Sequence, residues 1–420
     1  MPPFPGAQLL SARERERMLK QETPDSGQES LEEEPMDRGA LAHLGVAHMV
    51  DDLSQGALPA MLPFFIAAHN LSYSAGAGLM LAATIGSSVL QPLLGQFSDR
   101  RSAPWLVPMG VFLAGCGVAL ASLMPTYWLI AVSLVLGGVG VAAFHPEAAR
   151  YANYAAGTRR ATGMSFFSLG GSLGFAVGPL IATALMLIFG LPGGALLVLP
   201  GAAMALVLFR QMSRFPSPRR SGPGKSASMR LPHSDAWGPF ALLTVAVIGR
   251  SVLTQGLNTF MPLYWRDVLQ QPVAVGSLAL TILSTSGAAG TLLGGWLADR
   301  YGRRRVVLVA TVVLTALLGA FVAAQNAMLA GLLLVPMGIV LFTPMSVLVV
   351  MAQEYLPNRL GTAAGVTQGL AFSLGGVAAP LLGAVADLHG VHAVMMVITV
   401  LPPFIFAFMA TLPRDRHVTV

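Results

Sequence analysis

The sequence predicts an all-α integral membrane protein: twelve transmembrane helices in two six-helix bundles, the second a parallel repeat of the first, with both termini cytoplasmic. Three observations predict it. First, the 420 residues are 54% hydrophobic and only 10% charged, with a mean hydropathy of +0.67; a soluble domain carries about 25% charged residues. Second, twelve apolar runs are long enough to cross roughly 30 Å of hydrocarbon as helices. Third, when the chain is threaded through them alternately, all of the 25 basic residues except Arg250 and Arg266 fall at one face. Such an asymmetry marks the cytoplasmic side, where basic residues meet anionic lipid.

Residues 1–38 are polar, with the runs "RERER" and "LEEEP". They read as a disordered cytoplasmic tail, and no cleavable leader is expected. The first bundle occupies 39–212. Its runs are about 41–66, 75–97, 104–123, 127–149, 162–189 and 193–210. Residues 213–236 are basic and rich in Pro, Ser and Gly, and read as a cytoplasmic linker. The second bundle occupies 237–412, with runs at about 239–263, 275–298, 306–324, 329–352, 362–386 and 392–412. A short tail, 413–420, closes the chain. Glycine and proline are frequent inside the runs, which membrane helices tolerate because small residues let backbones approach.

The halves repeat with an offset near 200 residues. "QGALPAMLPFF" at 55–65 parallels "QGLNTFMPLYW" at 255–265, and "LLGQFSDRR" at 93–101 parallels "LLGGWLADR" at 292–300. Two six-span copies that both start inside are parallel repeats about an axis along the membrane normal. They meet at a central cleft.

Other chemistries find no support. The linker fragment "GPGKSAS" lacks the first glycine of a phosphate loop, since Arg219 stands there, and no strand precedes it. The basic pI of about 9.9 is explained by the cytoplasmic face, so no nucleic-acid partner is expected. The lone Cys116 forms no disulfide within the chain and no cysteine metal cluster. No His and carboxylate cluster has metal spacing along the sequence, and no cofactor is expected. An intramembrane enzyme would need a nucleophile–base or metal constellation at matched depth, and a sensor would append a signalling domain. Neither is found.

The polar residues inside apolar runs carry the functional reading. An ion at the bilayer centre costs about 2.5–3.5 kcal/mol on insertion scales, so it persists where it lines water or pairs. "HMVDDLSQG", 48–56, places His48, Asp52 and Gln55 four and three residues apart, on one helix face. Asp51 is turned about 100° from Asp52. Asp52 is expected to face the cleft, with Asp51 at its edge or against a neighbouring helix. Subtracting the repeat offset places Arg250 beside this pair, at Val50, and Gln255 opposite Gln55. An Asp52–Arg250 pair, or a competition among proton, substrate and Arg250 for the carboxylate, follows as an expectation. Further on, "FHPEAAR" is expected to end the fourth span, with Glu147 and Arg150 pairing three residues apart. His145, Glu147 and Arg150 would form a cytoplasmic gate or network.

Twelve spans, the six-plus-six repeat and the acidic-basic signature in "GWLADRYGRRR", 295–305, resemble the major facilitator superfamily. The first-half copy "GQFSDRR" keeps Gly95, Asp99 and Arg100 but lacks the following Gly-Arg tail. "HMVDDLSQGALPAMLP", "FHPEAARYANYAAGTRRATGMSFFSLGGSLGFAVGPLIA" and "AQEYLPNRLGTAAG" are together similar to the fosmidomycin resistance protein family, over roughly residues 40–412. That family commonly has Asn-Asp where this chain has Asp51-Asp52. The resemblance implies that spans 1 and 7 face each other across the cavity. It also implies that Asp99 and Asp299, with Arg100 and Arg300 beside them, latch the cytoplasmic side by meeting helix N-termini of the other half. Such an end carries about half a positive charge. Gly95 and Gly295 would permit close approach.

The implied function is a secondary active transporter in a bacterial inner membrane, functioning as a monomer. It would drive efflux of a small polar or anionic drug or metabolite in exchange for protons. Arg250 in the cleft favours an anion. Proton-coupled uptake of an organic anion or sugar is the alternative within the same fold.

Overall fold

The computed structural model describes residues 36–100, 103–157, 160–211, 235–324, 326–357, 359, 362–363, 366–367 and 371–413. Nearly all of the expected tails and of the linker lie outside the described residues, although Arg38, expected in the first tail, begins α1. The chain is all-helical there. The helices are α1 (Arg38–His69), α2 (Tyr73–Arg100), α3 (Leu106–Ala121), α4 (Tyr127–Ala155), α5 (Arg160–Phe189) and α6 (Val198–Gln211), the last entered through a 3-10 turn at Leu191–Leu197. Then come α7 (Trp237–Asp267), α8 (Val273–Tyr301), α9 (Arg303–Ala323), α10 (Ala327–Phe342), α11 (Pro344–Tyr355) and α12 (Ala371–Thr411).

Local chemistry sets the ends. Asp37 caps α1 by accepting from the Ala40 amide at 3.0 Å, and Asn70 closes it in the left-handed conformation. Asn326 caps α10 by accepting from Leu329. Inside α12, Gly390 adopts φ 79°, which interrupts the helical path; glycine meets such a φ without steric penalty. This break separates the two runs that the sequence places at 362–386 and 392–412.

Among the described residues, nine helical segments are long and apolar enough to cross a membrane, one of them the broken α12. The 16-residue α3 is apolar but shorter. The 32-residue α1, which carries His48, Asp51 and Asp52, is not among the nine. To reach the twelve crossings expected from the sequence, α12 must count as two passes and α1 and α3 must be added to the nine. One boundary is corrected: α4 runs on to Ala155, so "FHPEAAR" lies inside the helix and does not end it.

In the first half, α1 packs on α5, and α4 on α2 and α3; in the second, α7 packs on α12, and α10 on α8. Contacts between the halves run chiefly through α2–α12 and α5–α8, with α1–α7 between them. The apolar clusters at the basic end each belong to one half, one around Phe144 and Tyr151, the other around Phe240 and Met351. The cluster around Phe260 and Tyr264, towards the opposite end, takes Ile66, Tyr73 and Ala77 from the first half. Among the described residues, the halves therefore share an apolar cluster away from the basic face, whereas the clusters near that face each belong to one half.

Candidate functional site

Small residues allow the site to exist. Gly170, Gly174 and Gly178 of α5 lie against the backbone of Gly45, Met49 and Leu53 of α1. That is one glycine per turn meeting one carbonyl per turn, the close approach that small residues permit in membranes. Gly171 completes the surface: a Cβ there would lie 2.5 Å from Asp52 Oδ2 and 2.6 Å from His48 Nε2. Gly138 and Gly140 of α4 act likewise, Gly138 meeting α2 and Gly140 meeting α3.

On that surface, four ionisable side chains from two helices converge. His48 Nε2 lies 3.2 Å from Asp52 Oδ2, and His145 Nε2 lies 3.5 Å from Asp52 Oδ1. The two histidine Nε2 atoms are 3.3 Å apart. Asp51 Oδ2 is 3.6 Å from His145 Nδ1. Asp51 is 0% exposed, and neither of its oxygens has a hydrogen-bond partner among the described residues. Gln55 donates to Asp52 Oδ1 at 2.5 Å. Each imidazole is oriented from behind. His48 Nδ1 meets the Phe167 carbonyl at 2.8 Å, and His145 Nδ1 meets the Val141 carbonyl at 3.0 Å. A carbonyl only accepts, so both Nδ1 atoms carry the proton. Phe144 and Phe167 flank the His48 ring.

The sequence grouped His48, Asp52 and Gln55 correctly, but it assigned His145 to a separate gate. The structure places His145 in the carboxylate cluster instead. His48 stands ten residues into α1 from the basic end, and His145 stands ten residues before the end of α4. Both are about 15 Å deep at 1.5 Å per residue.

Glu147 and Arg150 pair as expected, Arg150 Nη2 donating to Glu147 Oε1 at 2.8 Å. The Glu147 carboxylate also accepts from the Ala103 amide, tying α4 to the approach to α3. The Asp52–Arg250 pair is not formed. Arg250 Nη2 reaches the Leu341 carbonyl at 3.5 Å, Nε has no partner, and no carboxylate of the described residues lies within 4.0 Å of it. Arg250 is held against α10 in its own half, while His48 and His145 serve Asp52 in the other. Between the halves, Gln55, Thr84, Phe175, Gln255 and Asn258 line a common cavity, so Gln55 and Gln255 face the same space.

The sequence profile of the Major Facilitator Superfamily matches residues 44–380. The chain belongs to the major facilitator superfamily. The chain is 31% identical over 380 residues to the uncharacterised transporter YfnC of Bacillus subtilis (strain 168), covering 89% of this chain and 92% of that protein. It is 28% identical over 383 residues to the fosmidomycin resistance protein of Escherichia coli (strain K12), covering 90% and 94%. A solved bacterial homologue of the human lysosomal transporter Spinster superposes with a TM-score of 0.74 at 14% identity, covering 88% and 95%; this likeness shows the fold. The chain is thus a multi-pass membrane protein of a transporter superfamily with bacterial relatives.

The superfamily signature residues stand as follows. Gly95, Asp99 and Arg100 belong to α2, but their side chains lie outside the described residues. Asp299 is exposed at the end of α8, and Arg300 stacks over Trp296 and Tyr301. A Cβ on Gly295 would meet nothing within 4 Å, whereas one on Gly294 would strike the Thr343 carbonyl. Close approach therefore falls to Gly294, within its own half.

Among the described residues, polar contacts across the halves gather at the end opposite the basic face. Asp387 accepts from the amides of Tyr73 and Ser74 at 2.6 and 3.0 Å. Tyr73 donates to Asp267, and Arg266 reaches the Pro63 carbonyl. Deeper in, Thr183 meets Ser277 at 2.5 Å, and Thr281 donates to the Ala176 carbonyl. The sequence search did not find this set, because each member reads alone as an ordinary loop or helix residue.

Proposed function

We propose that the protein is a proton-driven exporter of a small polar or anionic solute, working by alternating access as a monomer in a bacterial inner membrane. In this reading the basic face is cytoplasmic and the conformation is inward-facing. One observation carries the coupling: two buried carboxylates share a pocket with two imidazoles and no fixed cation among the described residues. Buried carboxylates without compensating charge are costly. Two positive charges must therefore arrive with the cycle and leave with it, and protons meet that need. His145, the most exposed of the four, is the exchange point.

Arg250 supports an anionic cargo. It stands in the other half, its Nε without a partner among the described residues, and a guanidinium recognises carboxylate or phosphonate oxygens in a bidentate fork. Export is supported by the relative named for fosmidomycin resistance.

The test is transport in proteoliposomes under an imposed pH gradient, with fosmidomycin and candidate organic anions. Substrate-stimulated proton movement opposite to the substrate is expected. Movement of proton and substrate in the same direction would replace export with uptake, and substrate flux indifferent to the gradient would remove proton coupling.

A further inference from the structure

We propose that His48, Asp52 and His145 form a binding site for one first-row divalent transition metal of the Zn2+ class. The inference rests on the geometry of the cluster alone and holds whatever the solute is.

The donor set comes first. Both Nδ1–H groups are committed to backbone carbonyls, which leaves each Nε2 lone pair directed into the cluster. This is the arrangement of metal-bound histidines, whose second nitrogen donates to a carbonyl or carboxylate that fixes tautomer and ring orientation. Gln55 does the same for the carboxylate by donating to Asp52 Oδ1. Three acceptor-only groups then face one another, and such groups repel unless a cation lies between them. No His and carboxylate cluster has metal spacing along the sequence, because this triad draws on two helices, α1 and α4.

The distances come second. Ligands bound tetrahedrally at 2.0–2.1 Å stand roughly 3.3–3.5 Å from each other. His48 Nε2 lies 3.3 Å from His145 Nε2 and 3.2 Å from Asp52 Oδ2, while His145 Nε2 reaches the other oxygen, Oδ1, at 3.5 Å; one ligand atom from each residue lies within 4.8 Å of the others, so a small turn of the carboxylate closes the triad on such an ion. Two imidazoles and one carboxylate make a borderline donor set, which suits Zn2+ or Co2+ better than Mg2+ or Ca2+. Three protein ligands leave a fourth position open.

Charge comes third. Asp51 is fully buried beside His145 without a hydrogen-bond partner among the described residues. With Asp52 it brings two negative charges to the pocket, which one divalent ion neutralises. Gly171 supplies the space, since any side chain there would intrude on two of the three ligands.

The experiment is Co2+ and Zn2+ titration of the untagged, detergent-purified full chain, reading the visible d–d spectrum of Co2+ and the heat of Zn2+ binding. One metal per chain with a tetrahedral-type Co2+ spectrum is expected. In His48→Ala and His145→Ala that spectrum should vanish and affinity should fall by more than about tenfold, while His392→Ala, remote from the cluster, should bind as before. A wild-type protein that binds no metal, or a His48→Ala/His145→Ala double variant that binds as tightly as wild type, overturns the proposal. Should the variants prove polydisperse, X-ray absorption of the Zn2+-loaded wild type decides: two imidazoles and one carboxylate support the site, and fewer than two imidazoles overturn it. Gradient-driven transport in the same preparation, without metal, keeps the two readings separate. A preparation that takes up no metal yet transports sinks this proposal and leaves the exporter standing.

Discussion

Asp52 is the residue on which most of the chemistry turns, since His48, His145 and Gln55 all reach it. Asp52→Asn is expected to abolish gradient-driven transport in proteoliposomes while the protein still inserts and elutes as a single species. Full activity in such a protein would remove the coupling role. Asp51→Asn should be milder, because Asp51 contacts His145 only at 3.6 Å and because the resembling family commonly carries Asn there. Gly171→Ala tests the geometry without touching an ionisable group. The methyl must push Asp52 or His48 aside, and a displacement near 1 Å in a positioned site can cost about a hundredfold. A rate within twofold of wild type would mean that the cluster tolerates looseness. Across the molecule, Arg250→Ala should weaken binding of an anionic solute by roughly tenfold to a hundredfold, the worth of a charge-assisted hydrogen bond. Arg250→Lys should recover part of it, because the charge survives and the fork does not. Unchanged affinity in a stable Arg250→Ala protein would take the anionic cargo with it.

At the scale of elements, the α1–α5 contact decides whether the pocket can form. Gly174 sits against the Met49 carbonyl and the Leu53 amide, backbone atoms that cannot move aside as a flexible side chain would. Gly174→Leu should therefore cost at least about 1–3 kcal/mol from overpacking, seen as a lower melting temperature in detergent. Gly319→Ala in α9 is the contrast, since a Cβ there meets nothing within 4 Å. It should be neutral or stabilising by up to about 1 kcal/mol through helix propensity. Equal melting points for the two variants would contradict the packing account. These elements also show what the sequence could tell. Apolar length, basic asymmetry and the 200-residue repeat were enough for the helices, since each is a property of a single segment or of two aligned ones. The His48–Asp52–Gln55 face was legible because it follows from helical periodicity. The partnership of His48 with His145 was not, because the two are 97 residues apart in the chain and meet only through the α1–α4 packing. A signal existed in their equal depth from the basic end, but it required knowing that α4 runs to Ala155. Arg250 failed in the opposite way: the repeat aligns it with Val50, yet aligned positions in two halves need not bring side chains together, and Arg250 reaches Leu341 in its own half.

At the scale of the whole molecule, the polar contacts between the two bundles gather, among the described residues, at the end opposite the basic face. Asp299 is exposed at the basic end, whereas Asp387 of the second half accepts from the first two amides of α2 in the first half. A carboxylate at a helix N-terminus meets unpaired N–H groups and the positive end of the helix dipole. The interaction is worth typically 0.3–1 kcal/mol and up to about 2 kcal/mol in favourable geometry. It exists only while the halves touch, so its full value enters the balance between the two conformations. Asp387→Asn preserves shape and removes the charge. The population should then move towards the state open at the opposite end, by roughly twofold to thirtyfold. Tyr73→Phe, which removes the hydroxyl donated to Asp267, should move it the same way by a smaller factor. Spin labels at Leu123 and Met328, exposed residues of the two halves beyond the closed end, report the change as a longer distance. The native Cys116 must first be replaced, since it would take label itself. A distance distribution in Asp387→Asn that matches wild type would show that the closed end is held by apolar contact around Phe260 and Tyr264, with the carboxylate a cap and not a latch. Asp299→Asn supplies the opposite sign: a latch formed only when the basic end closes should, when weakened, deplete the state that Asp387→Asn enriches.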